Sequence, residues 1–437
     1  MKIKLKLRNW LIFMFSFFLI VIAAFFEEAF YLYYLSMVAS AAVFYSKNKI
    51  FSLASFTFLG IFYPMLGPIF GQLILGQPVY SGWNIELQRD LYLTSHVLQL
   101  CSSALLVMAM TGCIDMQTNA GKNRSLQFSD GAYHALIFCL LVTGYYLERS
   151  GTVISSTYTQ NLSNESRSGG LDAMLAQLFI ILVSIAGIAS DTTQRKKYLV
   201  LTLCLLAVYF LLQARRSEVV GILFFLFIFL KIKLNFKSFL FFSAAVFALM
   251  MIEFVRDVGL LSFNSSVVTN DYNDAARIPG ASNIFVTLPT MVQIIEDGGI
   301  STFERLTFDN WVVRLIPTIL FDSFGVNSPG LEGKFIVNSQ YGYIGGMYIL
   351  TIGYLNAGLI GVGILGCLCV YVGKKLDTLI ISDSSSMFMK LIAFAFSMSV
   401  MRVLYYHPVG FLKMIIYLAI SIVILHFLAR SKMTRTS

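Results

Sequence analysis

Arginine is the residue type in this chain whose placement most directly implies chemistry. Arg215-Arg216-Ser217-Glu218 sits between two apolar runs with almost no loop. Arg256, Arg277, Arg305 and Arg314 follow in one long polar stretch, residues 256–344. A guanidinium stays charged at any relevant pH and grips phosphate oxygens through a planar fork. Charges this close to hydrocarbon are costly unless they face a bundle interior or a water-filled cavity. The pair at 215–216 therefore reads either as a diphosphate clamp at a membrane surface or as a helix end whose charges snorkel outward. Glu253, Arg256 and Asp257 are spaced for a local ion pair. Arg277-Ile278-Pro279-Gly280 reads as a turn. Glu304, Arg305, Asp309, Trp311 and Arg314 fit an amphipathic helix lying along a membrane. His407, in Tyr405-Tyr406-His407-Pro408, reads as a general base or as an ordinary turn histidine. His96 and His134 lie near helix starts and read as structural, and His426 falls in the last apolar run. No His/Asp/Glu set has metal-ligand spacing, and P-loop, dinucleotide and GxSxG motifs are missing.

The elements that must position these groups are membrane helices. The 437 residues are 57% hydrophobic and 13% charged, with mean hydropathy +0.75. Soluble domains carry about 25% charged residues. Repeated apolar runs of about 18 residues or more read as spans. The first run lacks a small-residue cleavage site and is followed at once by a second, so it reads as a signal anchor. The net charge of +9 does not cluster as a nucleic-acid surface would require; it is spread over short loops. Cys101, Cys113, Cys139, Cys204, Cys367 and Cys369 all lie in apolar runs and read as small core or lipid-facing residues.

Twelve helices are predicted, at 9–26, 29–46, 50–76, 91–114, 131–147, 173–190, 198–213, 219–231, 238–255, 345–372, 388–404 and 409–429. The fold class is thus an all-α polytopic membrane protein. It divides into residues 1–255 with nine helices, the large loop 256–344, and residues 345–437 with three helices and a tail. Basic loops fall on every second connection: Lys2, Lys4, Lys6 and Arg8, then Lys47 and Lys49, Lys122 and Arg124, Arg195, Lys196 and Lys197, Lys231, Lys233 and Lys237, Lys374 and Lys375, and Arg430, Lys432 and Arg435. By the positive-inside rule both termini are cytoplasmic. On the other side the basic residues are almost all arginine. Arg89, Arg149, Arg167, Arg215, Arg216, Arg256, Arg277, Arg305, Arg314 and Arg402 make ten of the fifteen in the chain. Only Lys334 and Lys413 of the seventeen lysines join them. The inner face needs charge alone, whereas the outer face is built for the guanidinium fork. The competing reading is that these arginines bind lipid headgroups or pair with Asp and Glu. A loop of this length between two spans is rare in transporters and suits an enzyme acting on an anionic, lipid-linked substrate.

Gly353, Ala357 and Gly361 recur every four residues and are expected to form a flat face for close helix packing. Ahead of them, Asn338 and Tyr341-Gly342-Tyr343-Ile344-Gly345-Gly346 lead out of the loop.

Three of these features together resemble the O-antigen polymerase family, the oligosaccharide repeat-unit polymerases. They are the Gln213-Ala214-Arg215-Arg216-Ser217-Glu218 junction, the large loop with Arg305 and Arg314-Leu315-Ile316-Pro317, and Gly353-Tyr354-Leu355-Asn356-Ala357-Gly358-Leu359-Ile360-Gly361. Architecture is covered over most of the chain and motif over the second half. Arg314 and Gly325 match an Arg-x10-Gly spacing seen in some members, while Arg149 and Arg167 in loop 148–172 do not. The resemblance implies a GT-C-like fold in the bacterial inner membrane, with a large periplasmic loop before helix 10. Its substrates would be undecaprenyl-diphosphate-linked oligosaccharides, and the growing chain would pass from its lipid diphosphate to a sugar hydroxyl of a new unit. Partners would be those lipids, membrane lipids and a chain-length regulator protein, with no nucleic acid and no cofactor. The leaving group is a diphosphate. An arginine about 4 Å away offers about 4 kcal/mol of gross attraction at an effective dielectric near 20, before desolvation. Two or three arginines could therefore replace a metal. Arg215, Arg216, Arg256, Arg277, Arg305, Arg314, Tyr341 and Tyr343 are the candidate substrate-binding residues. Glu296, Asp309, Asp322 and His407 are the candidates for deprotonating the acceptor. An O-antigen ligase shares the layout but usually carries a histidine in the large loop, and residues 256–344 contain none. A lipid-linked oligosaccharide flippase would have short loops.

Overall fold

The computed structural model describes residues 2–3, 7–26, 29–49, 52–69, 91–115, 285, 287–296 and 348–381. It also describes scattered helical positions between 200 and 226 and between 392 and 419. These residues are almost all helical. The elements are α1 (Leu7–Ala23), α2 (Phe30–Tyr45), α3 (Leu53–Phe62), α4 (Leu91–Gly112), α5 (Thr287–Glu296) and α6 (Ile349–Ile381). A two-residue antiparallel pair, β1 (Lys2–Ile3) with β2 (Ile114–Asp115), is the exception to the all-α expectation. A 3-10 turn at Tyr63–Met65, around Pro64, extends α3 toward Ile69.

Among the described residues, two helices, Tyr92–Gly112 and the region Ile349–Leu379, are long and apolar enough to cross a membrane. Leu7–Ala23, Phe30–Tyr45 and Leu53–Ile69 are shorter apolar helices. On α1 the large residues Leu7, Leu11, Phe15 and Phe18 are exposed, as expected of a helix facing lipid. The predicted spans 9–26, 29–46, 50–76 and 91–114 correspond to α1 to α4. Those at 131–147, 173–190 and 238–255 lie outside the described residues.

One end of the bundle is closed by a polar knot. α2 ends at Ser46, whose hydroxyl accepts from Asn9 Nδ2 at 2.7 Å. Asn48 Nδ2 donates to the Phe44 carbonyl at 2.8 Å and to that of Gly112 at 3.1 Å. Ser52 caps α3 by accepting from the Ser55 N–H at 3.1 Å. The first N–H groups of a helix have no intrahelical partner. Here the carboxylate of Asp377, from α6, takes those of Leu53 at 2.7 Å and Ala54 at 3.0 Å. Lys374 Nζ donates to the Gly112 carbonyl. Lys47, Lys49, Lys374 and Lys375 are thereby gathered at one end of the bundle, as the alternating charge pattern implies.

The core above this knot is aromatic and aliphatic. Phe44 and Phe58 stack at 4.2 Å between ring centroids. Tyr33, Met37, Leu53, Ile61, Phe285 and Tyr348 are fully buried around them.

α6 corrects one expectation. Gly353, Ala357 and Gly361 do not form a flat face for a neighbouring helix. Helical geometry is broken at Ala357 (φ −151°, ψ 28°) and Gly358 (φ 58°, ψ −142°). A Cβ on Gly353 would lie 2.7 Å from the Gly361 carbonyl oxygen, and one on Gly366 would lie 3.9 Å from Leu350 Cδ2. In a straight helix those pairs would be separated by about 12 and about 24 Å. The chain therefore reverses at 357–358, and α6 is a hairpin with arms 349–356 and 359–381. The small residues serve close packing, but between the two arms. From 359 to 379 the second arm is about 32 Å long at helical rise, still enough to cross hydrocarbon. The predicted span 345–372 thus becomes a short arm followed by an arm long enough to cross.

Candidate functional site

α5 lies within the stretch assigned to the large loop, yet it packs against the bundle. Leu288, Met291, Val292 and Ile295 fall on one helical face, and the first three are buried. Pro289 sits in the first turn, where its missing N–H costs nothing. The start of α5 is fixed by Thr287. Its Oγ1 lies 2.9 Å from Thr351 Oγ1 and accepts the Tyr348 N–H at 3.2 Å, at the first turn of α6. The Phe285 and Tyr348 rings are 5.8 Å apart, and the Tyr348 hydroxyl donates to the Ile61 carbonyl.

These contacts set the depth of α5. Ile61 is eight residues along α3 from Leu53, so Thr287 starts about 12 Å from the lysine-bearing end. Nine further residues bring Glu296 to about 25 Å. His96, sixteen residues before Gly112 on α4, stands at about 24 Å. The two helices deliver the pair to one level, and His96 Nδ1 is 3.9 Å from Glu296 Oε1. Their side chains are 29% and 34% exposed, so the pair is recessed yet open to solutes. Tyr354, three residues before the hairpin tip, meets the His96 ring edge-on at 6.1 Å between centroids. The Tyr92 ring lies 6.4 Å from that of His96 and is largely exposed. Asn356 Nδ2 donates to the Ile352 carbonyl at 2.7 Å, closing the first arm below the tip. Among the described residues, the buried Thr94 Oγ1, Thr290 Oγ1 and Gln293 Oε1 have no hydrogen-bond partner, and all three lie on the helices that carry the pair.

Of the residues singled out from the sequence, the structure places Glu296. Arg215, Arg216, Arg256, Arg277, Arg305, Arg314, Tyr341, Tyr343, Asp309, Asp322 and His407 lie outside the described residues. The partner that sequence reasoning missed is His96, which was read as structural. The available signal was an ionisable side chain five residues inside an apolar helix, a place that favours function over packing. Cys101, Cys113 and Cys369 are buried, in keeping with the core reading, whereas Cys204 is exposed. No group of three His, Cys, Asp or Glu side chains gathers among the described residues.

Chemically, an imidazole with a carboxylate at one ring nitrogen is an arrangement for accepting a proton at the other. Comparison with protein-family models, with curated proteins and with solved structures finds no match for this chain.

Proposed function

We propose that this chain is a polymerase of lipid-linked oligosaccharides, a glycosyltransferase with about twelve membrane-spanning helices and a GT-C-like layout. It sits in the bacterial inner membrane with both termini in the cytoplasm. It transfers a growing glycan from undecaprenyl diphosphate to a sugar hydroxyl of the next lipid-linked repeat unit, at the periplasmic face and without a metal. A chain-length regulator is its partner. The observation that carries this reading is the segregation of basic residues. Lysine predominates in one set of loops, which hold five of the fifteen arginines, while the other ten, including Arg215, Arg216, Arg256, Arg277, Arg305 and Arg314, fall on the other side. That side faces the diphosphate of the donor, where bidentate donors stabilise the departing charge. A proton acceptor is the other requirement of the reaction, and the His96–Glu296 pair meets it at the end of the bundle away from the lysines.

A second reading, the O-antigen ligase, gains from that same pair. A histidine now stands beside the arginine-rich stretch although the stretch itself contains none. Lipopolysaccharide from a strain lacking the gene separates the two. Loss of the ladder with retention of a core-plus-one-unit band supports the polymerase. Bare core with no attached unit supports the ligase or a flippase.

A further inference from the structure

We propose that His96 is the base that takes the proton of the acceptor hydroxyl and that Glu296 is its positioning residue. This rests on the polymerase reading. Three observations converge. His96 and Glu296 come from α4 and α5, helices about 200 residues apart in sequence that pack against each other and against α6. The start of α5 is pinned by Thr287 to Thr351 and Tyr348, and the helix carries Glu296 nine residues on to the level of His96. Glu296 Oε1 addresses Nδ1. Nε2 has no hydrogen-bond partner among the described residues, and the ring is partly exposed. A separation of 3.9 Å is longer than a hydrogen bond, and such pairs commonly tighten when substrate binds. Ordinary exposed ion pairs are also built this way and contribute little to stability. What distinguishes this one is its setting: an imidazole with the Tyr354 ring edge-on at 6.1 Å and the largely exposed Tyr92 ring at 6.4 Å, an aromatic surface on which a sugar ring can rest.

The acceptor hydroxyl loses its proton to Nε2 of neutral His96. Its oxygen forms the bond to the anomeric carbon of the donor. The bond from that carbon to the diphosphate oxygen breaks, and the electron pair leaves with the lipid diphosphate. The imidazolium, steadied by the Glu296 carboxylate, returns its proton to the diphosphate or to water. Glu296 touches no reacting atom in this scheme; it acts through His96.

Purified full-length protein in nanodiscs, supplied with the lipid-diphosphate-linked repeat unit of the source strain, provides the test. In His96→Ala and His96→Gln, kcat should fall about 100-fold or more, the scale of lost general-base catalysis, with KM unchanged. Added imidazole should restore part of the His96→Ala rate. Glu296→Gln, at a partly exposed position, should lower kcat about 10-fold alone and not at all in the His96→Ala background, because residues acting as a unit are non-additive. Turnover of either His96 variant within twofold of wild type overturns the inference while leaving the polymerase reading intact. So does an equal Glu296→Gln loss in both backgrounds. A wild-type protein that elongates nothing overturns the polymerase reading, and this inference falls with it.

Discussion

Three alanine substitutions in α6, at positions 358, 361 and 363, should give opposite signs that only a hairpin explains. Gly358 sits at φ 58°, ψ −142°, close to a region that is essentially glycine-only. Forcing a Cβ there costs about 1–3 kcal/mol. The stiffer unfolded chain returns about 0.4–1 kcal/mol. Gly358→Ala should therefore lose about 1–2 kcal/mol net, or roughly a 5- to 30-fold shift toward the unfolded state. At Gly361 a Cβ would overlap the backbone carbonyl oxygen of Gly353, and Ala357 Cβ would lie only 3.2 Å away. Backbone cannot yield as a side chain can, so overpacking of about 1–3 kcal/mol is expected, less about 1 kcal/mol of helix propensity. Around a Cβ at Gly363 nothing lies within 4 Å among the described residues. Only the propensity gain of up to about 1 kcal/mol remains there. The assay is the thermal unfolding midpoint of the detergent-solubilised protein. Gly358→Ala and Gly361→Ala should unfold below wild type and Gly363→Ala at or above it. If α6 were one straight helix, all three would gain helix propensity, so stabilisation at 358 and 361 would refute the hairpin.

Asp377→Ala should cost about 3 kcal/mol by orphaning the two N–H groups at the head of α3, each bond to a charged acceptor contributing about 1.5–3 kcal/mol, and Asp377→Asn should recover about half. An unchanged midpoint for Asp377→Ala would show that α3 is capped by other means. Tyr348→Phe, which removes the bond to the Ile61 carbonyl, should lower stability by about 1 kcal/mol; no loss would mean that this bond does not fix the depth of α6. Arg→Lys at Arg216, Arg277, Arg305 or Arg314 should impair glycan polymerisation with expression retained, as charge persists but the fork is lost. Four fully active lysine variants would rule out the diphosphate clamp.

Much of the bundle is legible because hydrocarbon imposes a simple rule. Any run such as Leu7–Ala23, Phe30–Tyr45 or Leu91–Gly112 must satisfy its own backbone, and a helix does so. The Lys47–Lys49 turn and Lys374–Lys375 were assigned to one side from charge alone, and the Asp377 and Lys374 contacts bring them to one end. The hairpin was not legible. Gly353, Ala357 and Gly361 at four-residue spacing describe a helix face equally well as two arms in contact, and the deciding torsion at Gly358 leaves no mark in composition. α5 was hidden for a different reason. Ten residues are too few to register as a span, and its apolar face at Leu288, Met291 and Val292 acquires meaning only against α4 and α6. His96 and Glu296 meet because two packed helices bring them to one depth, a relation that no local spacing encodes.

The most direct test of the polymerase claim is elongation by the purified protein in proteoliposomes. They should contain the undecaprenyl-diphosphate-linked repeat unit, no nucleotide sugar and no added metal. A ladder of lipid-linked oligomers, with one undecaprenyl diphosphate released for each unit joined, is the expected result. Persistence of the single-unit lipid beside an active, correctly folded preparation, or its movement between leaflets without elongation, would contradict the claim.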